Sequence, residues 1–212
     1  MTSIAVLGAG TVARTLATGL AAAGHRVTVA CRRPADIAQE WGEPDITVTA
    51  LDDVPPAAVA INALPGSVAL DVLRPLAFRL AGAVLLDVAN AVHVGPDAFA
   101  SALCHPGGSL AERLAAVLPD TAVVKSLNTL GPAELMTDPG SLTVPPTAFL
   151  SGDDPAAKRT VTGLLTDLGR AGEWIVDLGD LTTARFTESF ILLARPLVAA
   201  VGPRPFGLTV AR

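Results

Sequence analysis

The chain has 212 residues, a formal net charge of −5 at pH 7 and 50% hydrophobic residues. This length suits one α/β domain with a small extension and a sizeable core. Lys125 and Lys158 are the only lysines and the arginines are scattered, so no basic stripe indicates a nucleic-acid partner. Asp or Asn interrupts each apolar stretch before the roughly 18 to 20 residues that a membrane helix needs, so we expect a soluble protein without a membrane partner.

The two cysteines, Cys31 and Cys104, do not have a CxxC spacing, and no signal peptide is recognisable. This cysteine usage is typical of a reduced compartment. We therefore expect a cytoplasmic protein.

The N-terminal elements follow a strand, loop, helix, strand order. The apolar run Ser3–Leu7 ends at glycines and predicts a buried parallel strand. Thr11–Ala23 has apolar residues at helical spacing and predicts a helix, which Gly24 ends as a C′ residue. Arg26–Ala30 predicts the second strand.

The same alternation continues through the rest of the chain. Further strands are predicted at Ile46–Thr49, Ala58–Asn62, Ala83–Val88, Thr121–Ser126, Thr147–Gly152 and Trp174–Val176. Helices are predicted at Val68–Leu80, Leu110–Leu118 and Asp154–Leu168. Strands that alternate with helices predict an α/β fold with a Rossmann-type, doubly wound, mostly parallel sheet.

The last segment, Leu181–Val201, predicts a C-terminal helix that Pro196 strains. It is apolar on more than one face, and such a surface packs on another element or on a second subunit. We therefore divide the chain into a Rossmann-type domain (1–178) and a small C-terminal helical segment (179–212) for packing, dimerisation and the wall of a substrate pocket. A homodimer is expected.

The motif GAGTVA, from Gly8 to Ala13, fits GxGxxG/A directly after a strand and before a helix. In this context Gly8 permits a tight turn, Gly10 lets the backbone approach a pyrophosphate, and a small third residue lets helix and strand pack closely. The helix N-terminus favours phosphate binding. We predict cofactor contacts from Gly8, Ala9, Gly10, Thr11 and Val12; the alternative is a tight turn without a ligand.

The residues after the second strand select the dinucleotide. An acidic residue there would hold the ribose hydroxyls of NAD, but this chain has Cys31, Arg32 and Arg33. Two guanidinium groups suit a phosphate, so the sequence predicts NADP(H). Cys31 is expected beside this phosphate as a small neighbour. The alternative for Arg33 is a solvated surface position.

Ligands of open α/β sheets lie at the carboxyl ends of the strands. We therefore predict that three later loops contribute to the cofactor site, with the first beside the ribose and the last near the nicotinamide. The predicted residues are Ala63, Leu64, Pro65, Asn90, Asn128 and Thr129.

Two interpretations stay open for Asp87 and Lys125, at the ends of two strands. They line the site, or Asp87 caps a turn and Lys125 pairs with a carboxylate. The histidines lack ligand-like spacing, so no metal site is predicted and no catalytic side chain is identified. Arg185 and Glu188 lie one turn apart and are predicted to form an intrahelical pair.

Five blocks together resemble the F420-dependent NADP reductase family of short oxidoreductases, which includes the reductase domain of membrane-bound metalloreductases. The blocks are GAGTVARTLATGLAAAGHRVTVACRRP, LLDVANAV, SLAERLAAVLPDTAVVKSLNTLG, FLSGDDPAAKRTVTGLLTDLG and VDLGDLTTARFTES. The resemblance implies that Cys31 and Arg32 take the positions that bind the 2′-phosphate, and that the KSLNT segment lies along the nicotinamide. Ala13 and Ala91 depart from the family pattern, the latter where a proline is common.

The leading hypothesis is hydride transfer between NADP(H) and a deazaflavin, coenzyme F420, or a flavin. Such a transfer needs alignment more than a protein acid or base. The alternatives are a reductase of a small carbonyl or imine substrate, and an NADP-binding sensor or interaction protein without turnover.

Overall fold

A computed structural model describes residues 1–131 and 133–211 of the chain. Its main sheet has eight strands in the order β10-β9-β8-β5-β4-β1-β2-β3, and a two-stranded hairpin, β6-β7, lies apart from it. The strands are β1 Ser3–Leu7, β2 Arg26–Cys31, β3 Ile46–Ala50, β4 Val59–Asn62, β5 Val84–Asp87, β6 Val92–Val94, β7 Ala100–Leu103, β8 Ala122–Lys125, β9 Ala148–Gly152 and β10 Ile175–Asp177.

The strand order reverses beside β1, which pairs in parallel with β2 on one side and with β4 on the other. Open sheets bind ligands at the carboxyl ends of the strands at such a reversal. β8 and β9 are antiparallel, whereas the remaining pairs of the main sheet are parallel. The predicted Rossmann-type, mostly parallel sheet is therefore confirmed.

Helices cover both faces of this sheet. The helices are α1 Thr11–Ala22, α2 Pro34–Trp41, α3 Gly66–Leu73, α4 Ala77–Leu80, α5 Leu110–Val117, α6 Pro155–Asp167, α7 Ala184–Ser189 and α8 Ala194–Val201. Buried residues of α1, α2 and α6 form the core on one face, and those of α3, α5 and the start of α7 form it on the other. None of the helices among the described residues is long and apolar enough to cross a membrane.

Three local features differ from the sequence prediction. Helix α2 and the hairpin β6-β7 were not predicted, because both are short and only partly buried. The predicted helix Val68–Leu80 begins at Gly66 and is interrupted by a 3₁₀ turn, Arg74–Leu76, around Pro75. Proline cannot donate the backbone hydrogen bond that would continue the helix through this point.

The predicted C-terminal helix over Leu181–Val201 is helical at every residue, but it is not one regular α-helix. The structure has a 3₁₀ turn, helix α7, a second 3₁₀ turn at Phe190–Leu193, and then helix α8. Pro196 lies in the first turn of α8, where its missing N–H costs little. Leu193 and Ala194 keep right-handed helical backbone angles, so the helical path continues from the 3₁₀ turn into α8.

After α8 the chain returns to the edge of the domain. Gly207 forms a bridge with Leu130, and the Thr147 amide donates to the carbonyl of Leu208 at 2.9 Å. The Val210 amide donates in turn to the Thr147 hydroxyl at 3.0 Å. This tail holds the loop that follows β8, which contributes to the site described next.

Candidate functional site

A cleft of about 610 Å³ lies along the carboxyl ends of the parallel strands. It runs from the glycine loop after β1, past the ends of β2 and β4, to the loops after β5 and β8. The lining comprises Gly8, Ala9, Gly10, Thr11, Val12, Cys31, Arg32, Arg33, Ile37, Leu51, Ala63, Leu64, Pro65, Gly66, Val88, Ala89, Asn90, Asn128, Leu130, Gly131, Met136 and Ile191. Of the predicted cofactor residues, all but Thr129 belong to this lining.

The glycine loop has the shape that a pyrophosphate requires. Gly8 has a φ of +119°, and a Cβ there would lie 2.7 Å from the carbonyl oxygen of Ala63, so this close turn requires glycine. A Cβ at Gly10 would meet nothing within 4 Å, so the backbone is open towards the cleft. Helix α1 begins without a side-chain cap or an acidic residue in its first turn. Its N-terminus is therefore available to an anion.

The end of β2 provides positive charge beside the same cleft. The buried Cys31 and the exposed Arg32 and Arg33 all line it. The Arg33 guanidinium forms an ion pair with Asp36 at 3.4 Å, and both side chains are mostly exposed. Arg32 has no ion-pair partner among the described residues, so its guanidinium is the better placed of the two for a phosphate. These residues fit the 2′-phosphate of NADP.

At the other end of the cleft, two asparagines connect the loops after β5 and β8. Asn90 donates from Nδ2 to the Asn128 carbonyl at 2.8 Å, and Asn128 donates from Nδ2 to Asn90 Oδ1 at 2.9 Å. The surrounding lining is apolar and comes from Leu64, Pro65 and Met136. This end therefore offers apolar side chains together with amide groups at a fixed position.

Thr129 does not contribute to the cleft. It is buried within a turn that the Leu130 amide closes by donating to the carbonyl of Leu127. Leu127 has a φ of +61°, which turns the chain sharply after β8. This turn brings Asn128 to the cleft and leaves Thr129 inside the protein.

The structure also decides between the two interpretations of Asp87 and Lys125. Both are almost completely buried and lie outside the cleft lining. The Lys125 ammonium contacts Asp87 Oδ2 at 2.9 Å and Glu188 Oε1 at 2.9 Å, and it also donates to the carbonyl of Ala89. The second interpretation, in which Lys125 pairs with a carboxylate, is therefore confirmed.

Hydrogen bonds and ion pairs connect four buried side chains around Lys125. We call these residues, Asn62, Asp87, Lys125 and Glu188, the buried network. Asn62 donates from Nδ2 to Asp87 Oδ1 at 2.8 Å, and its own Oδ1 accepts from the Leu64 amide. At the other end, burial raises the pKa of Glu188 above its ordinary value, against the opposing effect of the Lys125 charge. The network therefore passes from helix α7 to the wall of the cleft.

The predicted intrahelical pair between Arg185 and Glu188 is wrong. The Arg185 guanidinium instead contacts Glu112 Oε1 at 2.7 Å, and Glu188 faces the interior. Glu188 accepts hydrogen bonds from the amides of Leu110 and Ala111 at the start of α5. The spacing within α7 allowed the pair, but packing of α7 on α5 gives each side chain a partner on another element.

Some lining residues had no signal in the sequence. Ile191 comes from the 3₁₀ turn after α7, while Leu130 and Met136 come from the loop that the C-terminal tail holds. Each is one apolar residue among many in its own segment. Only the packing of distant segments brings them to the cleft. No group of three or more potential metal ligands occurs within residues 1–131 and 133–211.

Comparisons with known proteins support this geometry. Residues 3–91 match the family described as NADP oxidoreductase coenzyme F420-dependent. The structure superposes on a crystal structure of a candidate F420-dependent NADP-reductase from Arthrobacter sp. FB24 with a TM-score of 0.92 and 36% identity, covering 100% of both chains. The chain belongs to the F420-dependent NADP oxidoreductase family. It is an NADP-dependent oxidoreductase, as the resemblance of the five blocks implied.

Two further proteins match this chain over part of their own length. The chain is 30% identical over 196 residues to the metalloreductase STEAP3 of Rattus norvegicus, covering 91% of the chain but only 37% of that protein. A Streptomyces aurantiacus imine reductase matches with a TM-score of 0.61 and 18% identity, over 93% of this chain and 62% of that one. At this identity the imine reductase indicates a shared fold alone.

Proposed function

We propose that the protein transfers hydride between NADP(H) and a deazaflavin such as coenzyme F420, or a flavin, whose flat ring lies against the nicotinamide. The observation that carries this proposal is the apolar and amide lining of the cleft beyond the glycine loop. Leu64, Pro65, Leu130 and Met136 supply apolar contacts at this end. Aromatic ring systems bind well between such surfaces.

The residues present fit NADP in the opposite half of the cleft. The open backbone at Gly10 and the uncapped start of α1 would hold the pyrophosphate, and Arg32 would hold the 2′-phosphate. The bound nicotinamide supplies the hydride chemistry. The protein then contributes binding, orientation and exclusion of water.

The Asn90 and Asn128 pair provides the orientation in this proposal. Because the Asn90 amide donates to the Asn128 main-chain carbonyl and the Asn128 amide donates to Asn90 Oδ1, the two loops keep a fixed spacing where the nicotinamide would lie. Donor and acceptor carbons about 3 to 3.5 Å apart are sufficient for efficient transfer. Asp87 and Lys125 are buried outside the lining, so we expect neither to transfer a proton to the substrate.

The direct test is an optical assay of NADPH oxidation with F420, FMN, FAD or riboflavin as the acceptor. We expect turnover with at least one of them. The matched control is Gly10→Val, which fills the open backbone position without a clash inside the protein and should remove activity. Activity that persists in this variant would contradict cofactor binding at the glycine loop.

Two outcomes would overturn the proposal. NADPH binding without turnover of any of these acceptors would favour a sensor or interaction protein. Turnover of a small carbonyl or imine compound, with none for the flavins or F420, would favour the reductase alternative instead.

We also propose that two copies of the chain pair through the C-terminal helical segment, 179–212. The part from Phe190 to Val201 has no buried residue, and Phe186 is 70% exposed. An apolar surface of this kind is typical of an interface. Sedimentation equilibrium should give a dimer, and a concentration-independent monomer with full activity would contradict this proposal.

A further inference from the structure

We infer that the buried network positions the acceptor side of the cleft, with Glu188 as the residue that joins the C-terminal segment to the cleft wall. This inference rests on the proposed function, because the acceptor side is defined by it. Glu188 and its partners are positioning residues, since none of their side chains lines the cleft.

The first step of the argument is the connection at Lys125. Its ammonium has three donors, and it meets three acceptors: Asp87 Oδ2, Glu188 Oε1 and the carbonyl of Ala89. These acceptors belong to the end of β5, helix α7 and the cleft lining. One buried side chain therefore fixes three segments relative to one another.

The second step is the connection to the cleft wall. The Ala89 amide donates to Asp87 Oδ1 at 3.2 Å, so both backbone polar groups of Ala89 are bound by the network. The Leu64 amide donates to Asn62 Oδ1 at 3.3 Å, and Asn62 is bound to the same Asp87 oxygen. The backbone at two lining residues thus depends on the network.

The third step is the connection to the C-terminal segment. Glu188 lies three residues before Ile191, which lines the cleft. Its Oε2 accepts from the Leu110 amide at 2.9 Å, and its Oε1 accepts from both Lys125 and the Ala111 amide. The start of α5 and Lys125 therefore hold α7 in place, and with it the position of Ile191.

The fourth step concerns charge. Asp87 and Glu188 are two carboxylates against one ammonium, and all three side chains are almost completely buried. Loss of Lys125 would leave two buried carboxylates without a cation, and loss of either carboxylate would leave the buried ammonium one acceptor short. The network is therefore suited to holding one arrangement of the wall.

The test uses amide hydrogen exchange in Glu188→Gln, measured by NMR or mass spectrometry. Glutamine keeps the volume but has only one acceptor oxygen, so its NH₂ group must face either Lys125 or the amides of α5. We expect exchange to rise about tenfold or more both at Phe190–Leu193 and at the Ala89 and Leu64 amides, with exchange of the glycine loop unchanged.

The reciprocal variant is Asp87→Asn, which alters the other end of the network. It should raise exchange at Phe190–Leu193, although these residues do not contact Asp87. The matched control is Glu112→Gln, which removes the other ion pair between α5 and α7 without touching Lys125. A change confined to the mutated element in either network variant, or equal changes in the control, would overturn the inference.

Kinetics then distinguish positioning from general stability. In Glu188→Gln the KM for FMN or F420 should rise, or kcat should fall, while the Kd for NADPH stays unchanged. Parallel losses of NADPH binding and turnover would indicate a merely structural role and overturn the inference. If the wild type turns over none of the acceptors but shows the exchange coupling, the proposed acceptor is wrong and the coupling through the network still stands.

Discussion

The two ends of the cleft are built in different ways. At the phosphate end, the glycine loop, the start of α1 and Arg32 all lie within one strand, helix, strand unit near the N-terminus. At the acceptor end, Leu64, Asn90, Asn128 and Ile191 come from four separate segments. The first end therefore depends on local backbone geometry, whereas the second depends on long-range contacts such as the buried network.

The largest expected effect tests the long-range end. Lys125→Met leaves Asp87 and Glu188 buried without their shared cation, so we expect the free energy of unfolding to fall by about 3 to 5 kcal/mol. Urea denaturation followed by circular dichroism measures this change. Lys158→Met, which removes the partly exposed pair with Asp177, should cost about 1 kcal/mol or less. Equal losses in both variants would contradict the comparison.

The next effect tests the phosphate end. Gly10 has a φ of −83° and space around its Cβ position, so Gly10→Val should fold normally. The side chain should instead exclude the pyrophosphate and weaken NADPH binding roughly a hundredfold or more, which is about 2.7 kcal/mol. Calorimetric titration measures it.

The control for this variant is Gly163→Val on the exposed face of α6. That glycine also has nothing within 4 Å of a Cβ, but it lies away from the cleft. The Gly163→Val variant should bind NADPH with the affinity of the wild type. If both variants bind NADPH normally, the glycine loop does not hold the cofactor.

A smaller effect concerns the choice of dinucleotide. Arg32→Ala removes a charge-assisted contact to the 2′-phosphate, which should cost about 1.5 to 3 kcal/mol, or roughly ten- to a hundredfold in NADPH affinity, and leave NADH unchanged. Arg33→Ala should cost less, because Asp36 already engages Arg33. Titration of wild type and both variants with each cofactor measures these affinities. Equal wild-type affinities for NADH and NADPH would contradict the predicted preference for NADPH.

The smallest effect is the pH dependence contributed by Glu188. Burial raises its pKa in the folded protein above the ordinary value of 4.5, so the folded state binds this proton more tightly than the unfolded state does. Its contribution to stability is therefore greatest below pH 4.5 and declines as the pH rises through the folded-state pKa. Carboxylates far from Glu188 contribute in the same way to wild type and variant.

The measurement is the free energy of unfolding of wild type and Glu188→Gln from about pH 4 to pH 8. We expect the wild type to lose stability relative to the variant as the pH rises. A difference between the two proteins that does not vary with pH would contradict a raised pKa of Glu188.

The sequence predicted most of the main sheet because its signals are local. The strands are short apolar runs ending near glycine or polar residues, and β1, α1 and β2 follow their patterns within one or two residues. The hairpin β6-β7 carries no such signal, since its residues are only partly buried. The C-terminal helix was predicted as one α-helix because periodicity alone does not show where 3₁₀ turns interrupt it.

By itself, the sequence determined the sheet, the glycine loop and the arginines after β2, since these depend on residues a few positions apart and on backbone conformations that glycine permits. Only the tertiary structure decided that Glu188 binds Lys125 and not Arg185, that Thr129 is buried, and that Ile191 reaches the cleft. The partner of a charged side chain depends on which elements pack together. That packing is a property of the whole fold, because burial and close packing of the hydrophobic core decide which elements lie together.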